Sequence, residues 1–196
     1  MSLLIIGLIL FLGMHSMRFV APGVRQNVID KAGDKAWIGI ASIVSLVGLY
    51  LIVQGYGTAR LEPFWLQRIW MSPPWTAHVA ALFMLVAFII LAAAFVPNNH
   101  IKAMFGHPMV ISVKVWAIAH LFANGTRADV ILFGAFLIWS VLSFRAARQR
   151  DKAEGVVRAP GRGGMTALTV VVGVAAYLVF AFYLHMLLIG RGVTLG

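Results

Sequence analysis

Hydrophobic positions along the chain gather into long blocks, separated by short polar stretches. A membrane-crossing helix needs about 20 mostly apolar residues. Six blocks predict such spans: Ser2 to Phe19, Ala36 to Gln54, Thr76 to Val96, Pro108 to Ala123, Ala128 to Ala146 and Met165 to Ile189. Helix breakers fall between them. Pro22-Gly23 follow the first block, Pro73-Pro74 precede the third, and Pro97-Asn98-Asn99 end it. Pro108 opens the fourth at a first-turn position where proline is tolerated. Asn124-Gly125 reads as a C-cap, and Thr126 with Asp129 three residues on reads as a capping box. The expected fold is all-α: one polytopic membrane helix bundle over residues 1–196, with about six spans.

Composition agrees with the pattern. The 196 residues are 61% hydrophobic and 11% charged. A soluble domain carries about 25% charged residues, so this chain cannot cover a globular surface with solvated groups. That excludes an ordinary soluble protein and a disordered one. Sixteen Lys and Arg against six Asp and Glu give a net charge of +10. A basic excess points either to nucleic acid or to a membrane, and the placement of the charges decides. With the N-terminus outside, the inner segments hold Arg18, Arg25, Lys31, Lys35, Lys102, Arg145, Arg148, Arg150, Lys152, Arg158 and Arg162. The outer segments hold Arg60, Arg68, Arg127 and Arg191. This asymmetry predicts both termini outside, with the lipid bilayer and not nucleic acid as the partner. The first block lacks a basic leader and a small-residue cleavage site, and reads as a retained helix. Trp65, Trp70 and Trp75 cluster before the third block, where the stretch Leu61 to Trp75 is expected on the membrane surface.

Cysteine is absent, which removes disulfides and every thiolate metal ligand. Polar groups within apolar spans are costly, so each is a candidate for function. They are His15, His78, Lys114, His120, Asn124 and His185, with His100 and His107 near the third loop. Arg18 lies one turn beyond His15, and Trp116 and Asn124 lie one turn either side of His120. Lys114 is expected to face the bundle interior and pair with a cofactor carboxylate, a backbone carbonyl or an Asn. No buried carboxylate is expected, which argues against an Asp/Glu proton-coupled transporter. No hydrolase triad, phosphate loop or dinucleotide turn is present. Two intramembrane histidines in a cysteine-free bundle suggest a haem between helices. The alternative is that they only pack and hydrogen-bond.

The string Gly106-His107-Pro108, Lys114-Val115-Trp116, His120 and Asn124-Gly125 resembles the signature of the NnrU family. So does Gly13-Met14-His15-Ser16-Met17-Arg18 with Pro22 and Arg25 after it. The resemblance implies a multi-pass protein of the bacterial inner membrane, linked to nitric oxide and denitrification. The family is similar to the plant zeta-carotene isomerase, a haem b enzyme, and this implies haem b here with His15 and His120 as metal ligands. Lys114, Arg18, Trp116 and Asn124 are the implied cofactor contacts. At about 1.5 Å of rise per residue, the two histidines differ in depth by on the order of 10 Å. A haem between them is then tilted toward the membrane plane, and otherwise His107, His78 or His185 serves instead. Two alternatives accompany this reading: a haem-dependent cis–trans isomerase of a lipid-soluble polyene, and a methyltransferase-like membrane enzyme suggested by His107-Pro108. The ligand expected is nitric oxide or a lipid-soluble substrate, and homo-oligomers are compatible with the pattern.

Overall fold

The computed structural model describes residues 1–190, so the outer-charge assignment of Arg191 lies outside the described residues. The helices are α1 Ser2–Val20, α2 Pro22–Ala59, α3 Pro63–Leu66, α4 Trp75–Phe95, α5 His100–Phe105, α6 Pro108–Ala123, α7 Arg127–Ala153, α8 Gly163–Val179 and α9 His185–Ile189. A π-helical turn, Phe180–Leu184, joins α8 to α9. No strand occurs among the described residues beyond an isolated bridge between Arg68 and Thr126. Large apolar side chains face outward along the helices, with Ile9 65%, Leu46 66% and Leu82 58% exposed. Such surfaces suit lipid and not water.

Two expectations change. Five helices are long and apolar enough to cross a membrane, α1, α2, α4, α7 and the continuous Gly163–Ile189 rod. The sixth, α6, keeps its expected bounds but has 16 residues, a rise of about 24 Å against a hydrocarbon core of about 30 Å. The polar stretch before Ala36 is also no loop. It is helical from Pro22, and α2 bends at Gly33, whose φ of 84° and ψ of 162° are open only to glycine. The bend separates a segment holding Arg25 and Lys31 from the stretch that carries Lys35 and the apolar span.

The chain forms two compact units, Met1–Ile69 with Thr126–Ala135, and Trp70–Gly125 with Phe136 onward. In the first, α1 and α2 are packed through glycine. A Cβ on Gly7 would lie 2.6 Å from the Ile52 amide nitrogen, and one on Gly48 would lie 2.8 Å from that of Phe11. A Cβ on Gly55 would overlap the Leu4 backbone. Lipid provides no hydrophobic drive between helices, so close backbone approach is what holds them. Buried Leu4, Leu8, Ile52 and Ala59 fill the rest of this seam.

In the second unit α4 packs against α6 and α8. Its contact with α8 again needs a glycine, since a Cβ on Gly173 would lie 2.5 Å from the Ile89 Cα. The hydroxyls of buried Ser112 and Thr169 donate to their own helices, to Met109 O at 2.7 Å and Met165 O at 2.7 Å. Asn99, 1% exposed, caps α5 by accepting from the Lys102 amide and donates to Ala93 O and Val96 O.

Gly55→Ala is expected to destabilise the purified protein by about 1–3 kcal/mol through overpacking. This occurs despite the alanine's better helix propensity, about 0.5–1 kcal/mol. Gly57→Ala, two residues on with nothing near its Cβ position, is expected to be neutral or stabilising. Thermal melting in detergent compares the two.

Candidate functional site

His15 lies in the last turns of α1 and is exposed. Its Nδ1 is 2.7 Å from Phe11 O, and its ring lies 4.3 Å from the Phe11 ring centroid. A carbonyl only accepts, so in the neutral ring Nδ1 carries the proton and Nε2 the lone pair. A cleft of about 130 Å³ opens beside it, lined by Met14, His15, Arg18, Arg25, Trp37 and Ser45. Arg18 therefore shares a cleft with His15 as its one-turn spacing implies. Arg25 joins them and sits over the Trp37 ring at 5.8 Å.

His120, in the second unit, is half-buried near the end of α6. It repeats the arrangement of His15. Nδ1 is 3.0 Å from Trp116 O, and the imidazole and Trp116 centroids are 5.1 Å apart. The Trp116 ring is itself held edge-on by Phe136 at 5.2 Å. Asn124 donates from its side-chain amide to His120 O at 3.0 Å, closing the helix end. Asn124 is the C-cap but is extended, at φ −127° and ψ 134°. Gly125 is needed for a different reason from a left-handed turn: a Cβ there would overlap Trp70 O.

Lys114 pairs differently from the expected carbonyl or Asn. Its Nζ lies 4.7 Å from the Phe144 ring centroid, a cation–π contact. His107 meets the same ring edge-on at 6.4 Å. The His107 Nε2 is 2.8 Å from Asp151 Oδ2, and Arg158 pairs with that same oxygen. One ring nitrogen of His107 thus already faces a carboxylate. Of the other fallback residues, His78 is exposed on α4, and His185 follows the π turn with its ring 6.0 Å from that of Phe180. His100 bonds Thr166, with Nδ1 2.8 Å from its hydroxyl. Among the described residues no three His, Asp or Glu side chains gather as a metal cluster.

One buried polar group runs against expectation. Asp129 is 5% exposed at the start of α7. The capping box forms as its spacing predicts: Asp129 accepts from the Thr126 amide at 2.9 Å and hydroxyl at 2.6 Å, and its own amide donates to Thr126 Oγ1 at 3.2 Å. The Tyr56 hydroxyl, from α2, donates to the other carboxylate oxygen at 2.5 Å. The cap was legible from Thr126-x-x-Asp129, while the Tyr56 bond spans 73 residues of sequence and left no local signal.

Helices of this length and surface, with their polar side chains bonded back to their own turns, define a polytopic α-helical membrane protein. The NnrU protein family model matches residues 3–193, and the chain belongs to that family. No curated protein and no solved structure matches it.

Asp129→Ala removes a cap and leaves the Tyr56 hydroxyl without its acceptor. It is expected to lower stability by about 1–3 kcal/mol, and Tyr56→Phe by about 1 kcal/mol. Melting in detergent checks both, and an Asp129→Ala protein as stable as wild type contradicts the buried-cap assignment.

Proposed function

We propose that this NnrU-family protein binds haem b within the membrane, with His15 and His120 as iron ligands, and acts in nitric oxide or denitrification metabolism. One observation carries the ligand assignment. In each compact unit a histidine near a helix end directs Nδ1 to the carbonyl four residues back and rests against the aromatic ring of that same residue. Metal-bound histidines are held in this way, by a bond on the far nitrogen that fixes tautomer and ring orientation. A protein-only metal centre needs three or four gathered ligands. A haem would ask the protein for only one or two ligands to its iron, which oriented single histidines would supply. Arg18 beside His15 and Lys114 on the helix of His120 are the cations assigned to the propionates. When bound, the haem would supply an iron able to take a gas ligand. The link to nitric oxide follows the family likeness.

A second reading, catalysis on a lipid-soluble polyene, is favoured by a separate feature. An apolar cleft of about 460 Å³ lies in the second unit, lined by Trp70, Trp75, Ile118, Leu121, Phe122 and Leu137. Three of these residues flank His120 on α6. Ser72 also lines it, with a buried hydroxyl that has no hydrogen-bond partner. A long apolar molecule would fill such a space. Loss of any double-bond isomerisation in haem-loaded, reconstituted protein would remove this reading and leave the first standing.

The first reading is tested by the optical spectrum of protein purified after expression with ample haem. A Soret band is expected in wild type, with His15→Ala and His120→Ala each shifting or abolishing it. Haem-to-protein stoichiometry counts the sites. Protein that stays haem-free under these conditions contradicts the proposal.

A further inference from the structure

We infer that the cleft between the end of α1 and the bent start of α2 is a binding site for a single oxyanion carried on an amphiphile, a carboxylate or a phosphate. The cleft is lined by His15, Arg18, Arg25, Trp37 and Ser45, with no carboxylate among its lining residues. The two guanidinium groups and the hydroxyl among these residues are donors with a net positive charge. Guanidinium matches carboxylate and phosphate oxygens with paired, charge-assisted hydrogen bonds.

The placement is built by the backbone. Arg25 precedes the Gly33 bend, and Trp37, Ala41 and Ser45 follow it. The bend lets one helix contribute both an arginine and the aromatic platform on which it lies, at 5.8 Å. A platform of this kind reduces the freedom that an arginine loses on binding, so the guanidinium is held ready for its ligand. A Cβ at Gly33 would meet nothing within 4 Å, so glycine is required there by its backbone conformation and not by crowding.

Size and depth define the ligand class. The cleft, about 130 Å³, is well below the roughly 300–1,000 Å³ of pockets that enclose a whole ligand. It takes a headgroup-sized portion of a larger molecule. It lies at the end of an apolar span, beside the bases Arg18 and Arg25, the depth at which lipid headgroups meet protein cations. Two molecules bring an oxyanion to that depth: an anionic lipid through its phosphate, and haem through a propionate. The second source rests on the haem reading above, and the first does not.

The test uses the full-length protein as wild type, Arg18→Gln, Arg25→Gln and Arg25→Lys. Each is titrated with haem b and with its dimethyl ester, in which the propionates are neutral. Each is also mixed with phosphatidylglycerol or with diacylglycerol, and native mass spectrometry counts retained lipid. The Gln variants are expected to weaken one charged probe about tenfold or more, the scale of a lost charge-assisted bond. Binding of its neutral counterpart stays unchanged, and Arg25→Lys recovers part of the loss. A deficit confined to haem b identifies the propionate, and one confined to phosphatidylglycerol identifies the headgroup. Wild-type protein that takes up no haem sinks the haem reading, and the lipid pair then decides this one. Unchanged binding of all four probes, or an equal loss on all four, overturns the inference, because probe charge would then make no difference.

Discussion

Lipid removes the hydrophobic drive between helices and leaves no water to satisfy a stray polar group. This constraint shapes the whole molecule. Helix contacts must come from close backbone packing, and here glycine supplies it. Gly7, Gly48 and Gly55 let α1 and α2 touch, and Gly173 lets α8 meet α4. Polar side chains must find partners nearby. Ser112, Thr169, His15 and His120 turn back to carbonyls of their own helices, and Asp129 is enclosed by Thr126 and Tyr56.

The same constraint makes the histidines informative. At both His15 and His120 Nδ1 faces the carbonyl of an aromatic residue one turn back, and the aromatic ring then buttresses the imidazole. His107 is the contrast. Its Nε2 is committed to Asp151, which Arg158 also holds, so that group ties the segment around residue 158 to the start of α6.

Much of the fold was legible because long apolar runs have one stable form in lipid. Bounds were read best where chemistry punctuates the chain, as at Pro108 and Asn124 for α6. The Gly33 bend was not legible, since Pro22 to Lys35 carries charges that fit a loop or an amphipathic helix equally well. With the bend hidden, Arg25 and Trp37 could not be placed beside His15. The glycine seam had a visible signal, Gly48, Ile52, Gly55 and Ala59 at one-face spacing, which charge placement and breaker residues overshadowed. Asp129 was read as a cap but not as buried, because burial depends on Tyr56 far along the chain. Lys114 stands out in the sequence as a costly group, yet its aromatic partner Phe144 belongs to another helix and no local pattern marks it.

The proposed role depends most on whether imidazole nitrogens of His15 and His120 reach iron. Electron paramagnetic resonance of the ferric, haem-loaded protein reports on that directly. A low-spin signal from nitrogen ligation that is lost in His15→Ala and in His120→Ala is the predicted result. A signal that is the same in wild type and both variants would contradict it.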